Sequence, residues 1–295
     1  MNDDIHLVSE GPRCRLRSST DRSCAVPRTH NTFGDRSFAV AGPRVWNSLP
    51  ANLRDEDITL SSSCSCVGIS DDVHQCSVFS GGELERALQR LPCRSAAGPD
   101  EVSNAMLRHL LSKGKRCLLH TANLSWRSGE VPASWRIAEI RPILKPGKPA
   151  GTTSSFRPIS LLSCIGKVVE RLIQERLVYL LESRNLLHPS QAGFRKNRST
   201  EEQVAAVCQL TDDGFQQKRP SRRTALLLAD FSRAYDRVCR KALFAKMARK
   251  GIPTCYIRGF LSDRKASVLW QGALSRKRTF SDGLPQGSVL AQFFG

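Results

Sequence analysis

Apolar positions recur at helical spacing in several separate blocks of this chain. Leu84, Leu88 and Leu91 fall on one helical face, and Pro92 ends that run. After the turn Ala97-Gly98-Pro99-Asp100, Val102, Met106, Leu110 and Leu111 form the stripe of a second helix. A third amphipathic helix spans about Lys115 to Arg127, and Val131-Pro132-Ala133-Ser134-Trp135 closes it. The longest runs from about Cys164 to Ser183. Val168, Val169, Leu172, Ile173, Leu177 and Leu180 supply its buried face; Lys167, Glu170, Arg171, Glu175 and Arg176 supply its wet one. Ser199 or Thr200 caps a further helix to about Thr211, with Glu201 and Glu202 in its first turn. Lys241 to Lys250 read as a helix ending at Gly251, and Ile257 to Leu261 as a shorter one.

Other stretches change to strand character. Ile137 to Leu144 alternates and is rich in β-branched residues, which predicts a strand. Lys145-Pro146-Gly147-Lys148 is then a turn with two exposed ammoniums. Ser155-Phe156-Arg157-Pro158-Ile159-Ser160 begins another ordered segment that feeds the long helix. Ala266 to Leu274 and Lys277 to Phe280 form a hairpin with Gly272 near its turn. Five apolar residues, Ala225 to Ala229, run straight into Asp230, which predicts a buried strand with an acid at its end. Ser232 can then open a helix with Tyr235 and Asp236 in its first turn. An acid there is stabilised by the helix dipole whatever its function, so Asp236 reads as structural.

Charge changes the picture. The 295 residues carry 45 Lys+Arg against 27 Asp+Glu, a net +18. Such an excess favours a polyanion, because each neutralised phosphate releases a condensed counterion. No apolar run approaches the roughly 18 residues that cross a bilayer, and the first thirty residues lack an apolar signal core. The eleven cysteines are irregularly spaced and read as reduced thiols. Cys64, Cys66, His74 and Cys76 match no usual structural zinc spacing, so chance clustering in a Ser-rich linker is preferred to a zinc site. There is no Ser-His-Asp order, no His-based acid/base pair and no Walker loop.

Two strings carry chemistry. Asp230-Phe231-Ser232-Arg233-Ala234-Tyr235-Asp236 follows the apolar run, and Gly283-Leu284-Pro285-Gln286-Gly287-Ser288 comes later as a loop entering a helix. An Asp at a strand end is by itself a cap or turn residue. It is also a usual place for a hard oxygen ligand to magnesium. Together the strings resemble motifs A and B of the reverse transcriptases of non-LTR (LINE-type) retrotransposons. The resemblance covers roughly residues 82–291. It implies an α+β fold: the fingers and part of the palm of a right-hand polymerase, behind a helical N-terminal extension. It implies RNA-templated DNA synthesis from a primer hydroxyl with magnesium, so the partners are an RNA template, a DNA primer and deoxynucleoside triphosphates. Asp230 becomes the catalytic, metal-binding acid, with the Phe231 carbonyl as an added oxygen. Tyr235 becomes a steric gate under the sugar, against the plainer reading of a packing tyrosine. Gln286 and Gly287 touch template and incoming nucleotide. Arg157 and Arg195 contact triphosphate or template, and Gln191 and Phe194 hold their loop against template; solvated charge and loop packing are the alternatives. Lys145 and Lys148 add point charges.

The expected domains are an irregular leader over 1–60, a linker over 61–81, a helical extension over 82–135, fingers over 136–223 and an incomplete palm over 224–295. Within the leader, Phe33 to Pro50 resembles the extreme C-terminal tail of LINE-type polymerase proteins. That order suggests two element copies joined head to tail, or a gene model read across them; a coincidental Arg/Pro-rich leader is the alternative. The family's second metal-binding acidic motif would come later than Gly295, and Gln292 to Gly295 depart from its pattern. The expectation is therefore a fragment truncated after motif B and inactive as it stands. The alternative is a non-catalytic basic RNA- or DNA-binding protein derived from a retroelement. Localisation, nuclear or cytoplasmic, is left open.

Overall fold

The computed structural model describes residues 77–216, 224–231 and 234–294. The leader, linker residues 61–76 with Cys64, Cys66, His74 and Cys76, residues 217–223, and Ser232 lie outside the described residues. The elements are α1 (Gly81–Gln89), α2 (Asn104–Arg108), α3 (Ser112–Ser128), β1 (Ile137–Leu144), β2 (Phe156–Leu161), α4 (Cys164–Ser183), α5 (Thr200–Gln216), α6 (Arg240–Arg249), α7 (Cys255–Leu261), β3 (Arg264–Trp270), β4 (Ala273–Leu274), β5 (Arg278–Phe280) and α8 (Ala291–Phe294).

Helices form one core. Leu84 and Leu88 of α1, Leu118, Ala122 and Trp126 of α3, six apolar side chains of α4 from Val168 to Leu180, and Tyr256 and Phe260 of α7 are buried together. Each Leu, Ile, Val or Phe among them contributes about 1.5–3 kcal/mol on burial. α1 begins with a reciprocal cap: Ser80 Oγ accepts from the Glu83 N–H, and the Glu83 carboxylate accepts from the Ser80 N–H. Arg176 of α4 then donates to Glu83 (3.0 Å), and its guanidinium lies 4.2 Å from the Phe79 ring centre. Ser199 starts α5 the same way, with its Oγ accepting from the Glu202 N–H.

The sheet has five strands in the order β2-β1-β3-β4, with β5 also pairing β3. β1 is antiparallel to β2, Ile140 opposite Ser160, and parallel to β3, Ile140 opposite Val268. The parallel pair needs a long crossover, which the chain from α4 to α7 supplies. Gln271 (φ 49°) and Gly272 (φ 81°) turn β3 into β4, the backbone a tight hairpin favours. The return strand is broken near Ser275, whose Oγ accepts from the Val268 N–H, before β5 resumes with Phe280 opposite Arg264.

Local periodicity predicts β1 and α4 with their observed bounds, and the 266–280 hairpin is present with β3 starting two residues earlier. Four expectations fail. Val102 to Leu111 is not one helix: α2 stops at Arg108, and Leu111, half exposed at 51%, flanks the start of α3. Ala225 to Ala229 is neither strand nor buried; Leu227 is 90% exposed and Leu228 84%. A strand is held by a neighbour, and no strand among the described residues pairs with this segment. Tyr235 and Asp236 are in a turn, not a helix, which begins only at Arg240. The Tyr235 carbonyl accepts from the Leu284 N–H of a distant loop, not from a helical amide. Finally, Glu170 is not on a wet face: it is 1% exposed.

Candidate functional site

The Gly283–Ser288 loop is the structural hub of the predicted site. At its entrance the Gly283 N–H donates to the Val238 carbonyl (3.1 Å) and the Leu284 N–H to the Tyr235 carbonyl (2.8 Å). The two strings read from the sequence are thus hydrogen-bonded to each other. In its middle, the Ser160 N–H donates to the Gln286 carbonyl at 2.8 Å, which docks the loop on the outer edge of β2. Gly287 has φ +121°, and a Cβ there would sit 2.5 Å from the Ser160 carbonyl oxygen. Only glycine tolerates both conditions.

Two buried charges complete the frame. Arg240 donates to the carbonyls of Gly283 (2.9 Å), Leu261 (2.6 Å), Phe280 (3.1 Å) and Asp282 (3.1 Å). It ties the loop to α7 and β5, and burial pulls its guanidinium below its ordinary range. Glu170 of α4 accepts from Ser288 Oγ at 2.5 Å and from the Leu290 N–H at 3.1 Å.

The predicted site residues divide. Arg157 is exposed on β2, three residues from the loop's contact at Ser160. Tyr235 is half-buried against the main core. Gln286 and Gly287 are half-buried at the β2 edge. Asp230 and Phe231 are exposed, Phe231 at 83%. Gln191 and Phe194 lie on an exposed loop, Phe194 at φ +59°. Arg195 is occupied within the fold. Nε and Nη2 bind Glu182 at 2.9 and 2.6 Å, and Nη1 binds the carbonyls of His188 and Gln191. That ion pair holds the Glu182 carboxyl below its usual range. Lys145 Nζ likewise donates to the Ser154 carbonyl, so only Lys148 keeps the exposed character expected of both.

Residues 143–293 match the family described as reverse transcriptase (RNA-dependent DNA polymerase). The chain belongs to the reverse transcriptase family. It is 36% identical over 211 residues to the probable RNA-directed DNA polymerase from transposon BS of Drosophila melanogaster, covering 70% of this chain and 23% of that protein. The X-element polymerase of the same fly is 32% identical over 215 residues, covering 72% and 23%. The jockey polymerase is 32% identical over 210 residues, covering 70% and 23%. The chain therefore spans less than a quarter of the length of these curated relatives, at 23% of each. Its kinship is with the reverse transcriptases of non-LTR retrotransposons. No helix among the described residues is long and apolar enough to cross a membrane.

Divalent metals generally serve this family. Among the described residues, no group of three or more His, Cys, Asp or Glu could hold an ion. Magnesium is bound by one or two carboxylates plus substrate phosphates. Asp230, exposed, is a carboxylate of the hard-oxygen type that such an ion takes.

Sequence reasoning does not find Arg240 and Glu170, the two buried charges that hold the Gly283–Ser288 loop. For Glu170 a signal was present: Gly166, Ile173 and Leu177 lie at helical spacing from it, and all three are buried. The acid interrupts a core stripe. Arg264 and Tyr256 are buried beside it. Burial pulls Arg264 down to about 10 and pushes the Tyr256 hydroxyl well up. The Tyr256 hydroxyl and Arg264 Nη2 have no hydrogen-bond partner among the described residues.

Proposed function

We propose that this chain supplies the nucleotide- and template-contacting part of an RNA-directed DNA polymerase of a non-LTR retrotransposon. Its partners are an RNA template, a DNA primer and deoxynucleoside triphosphates, with magnesium as the metal. The observation that carries this is the joining of the Tyr235–Val238 turn to the Gly283–Ser288 loop on the edge of β2, close to Arg157. Nucleotidyl transfer joins a primer hydroxyl to the α-phosphate of the incoming nucleotide and releases pyrophosphate. The protein contributes mainly position and charge.

Asp230, with the Phe231 carbonyl, would hold magnesium, which supplies charge neutralisation at the phosphates. Tyr235 has its backbone carbonyl pinned by Leu284, so its ring keeps a fixed place from which to exclude a ribose 2′-hydroxyl. Gln286 and Gly287 present an amide and a bare backbone to the base pair being formed. Arg157 offers its fork to the triphosphate. Arg195 acts indirectly: its bonds to Glu182, His188 and Gln191 shape the loop that carries Gln191 and Phe194.

The deciding experiment is primer extension on an RNA template by the protein in the longest form its gene encodes. Asp230→Asn is expected to lower incorporation by about 10³-fold or more, as loss of a group stabilising charge in the transition state does. Its melting temperature should be unchanged, since Asp230 is exposed. Full synthesis by Asp230→Asn refutes the assignment.

A further inference from the structure

A buried carboxylate is costly unless it is paired and hydrogen-bonded. At a purely packing position an apolar side chain of similar volume serves as well or better. Glu170 is 1% exposed in the middle of α4, yet its bonds go outward to a distant stretch of chain. One oxygen, Oε2, accepts from both Ser288 Oγ and the Leu290 N–H. Ser288 Oγ accepts in turn from the Ala291 N–H at 3.1 Å, so the acid organises the first turn of α8. The charged and titratable groups facing Glu170 are Arg264 of β3 and Tyr256 of α7.

The geometry of the loop makes this anchor consequential. Gln286 is fixed to Ser160 of β2, and Ser288 is fixed to Glu170 of α4. A single residue, Gly287, separates the two anchors. Any displacement of Ser288 is therefore passed to Gln286 with almost no slack.

We propose that Glu170 is a positioning residue for the Gly283–Ser288 loop. By holding Ser288 to Leu290 against α4, it sets how far Gln286 and Gly287 stand from the β2 edge. It thereby acts on nucleotide affinity without touching nucleotide. What the loop binds rests on the polymerase assignment; the latch itself does not.

The test compares wild type, Glu170→Gln, Ser288→Ala and the double variant. Hydrogen exchange of amides 284–291 is expected to rise about tenfold or more in each single variant, the effect of losing one bond to a charged group. Amides of α1 and α3 should change less than about twofold. The double variant should add little to the larger single effect, because both changes break one bond. Affinity for a fluorescent deoxynucleoside triphosphate in magnesium should fall about tenfold alongside.

Unchanged exchange at 284–291 in Ser288→Ala overturns the proposal. So does a rise shared equally with α1 and α3, which marks a general loss of stability. A loosened loop with unaltered nucleotide affinity overturns the positioning role. If Glu170→Gln does not fold, Ser288→Ala carries the test. If wild type binds no nucleotide, the polymerase assignment fails and exchange alone decides the latch.

Discussion

Replacing Arg240 by Met removes a charge and five donors while keeping an apolar stem of similar length. The side chain is 9% exposed and donates to four backbone carbonyls. Those of Gly283 and Leu261 are bonded in fully buried surroundings; those of Phe280 and Asp282 are partly reached by water. An unsatisfied buried acceptor costs about 1–3 kcal/mol, so the first two together set a loss of about 2–6 kcal/mol. The wild-type guanidinium is itself desolvated, and removing it returns part of that. The expected net loss is about 3 kcal/mol, a large share of the roughly 5–15 kcal/mol that holds a domain together. With a slope of about 3 kcal/mol per molar urea for a chain of this size, the unfolding midpoint falls by about 1 M. Circular dichroism during urea titration measures it. A fall smaller than about 0.3 M, near 1 kcal/mol on the same slope, refutes the claim that Arg240 is the clamp joining the loop to α7 and β5.

Two further outcomes follow from the same frame. Gly287→Ala forces a Cβ to 2.5 Å from the Ser160 carbonyl at φ +121°; it should cost about 1–3 kcal/mol and detach Gln286 from β2. Thermal denaturation and exchange of the Ser160 amide report both, and a variant as stable as wild type contradicts the docking geometry. Burial raises the Glu170 carboxyl above its usual range, against the pull of Ser288, Leu290 and Arg264. Between the usual value and its own, the native state therefore binds more protons than the unfolded chain. The stability this group contributes is full below that window and falls as pH rises through it. Urea midpoints of wild type and Glu170→Gln, measured across that range, should show wild type losing ground to the variant as pH rises; wild type gaining ground contradicts the sign.

Much of the molecule was written in short-range pattern. β1 and α4 were legible to their ends because alternation, helical spacing and the flanking Pro146 and Ser163 act within a few residues. The family strings around Asp230 and Gly283 were legible for the same reason: a tight loop and its chemistry need particular side chains in particular order. The side chains that assemble the site were not. Glu170 reads as one more wet-face charge, and Arg240 falls just before the helix expected from Lys241, because nothing near either in sequence shows which distant chain will cover it.

Sequence alone determined which segments are helix or strand wherever the local pattern was strong, and which residues carry the reverse transcriptase signature. Tertiary structure decided the rest. It put the 235–238 turn on the loop instead of in a helix, and left the 225–229 run without a strand partner among the described residues. It also drew Glu170 and Arg240 into the interior. The physical reason is common to all of these. A backbone carbonyl, an apolar face or a buried charge takes whichever partner the fold brings within bonding distance, and those partners lie 21 to 120 residues away along the chain.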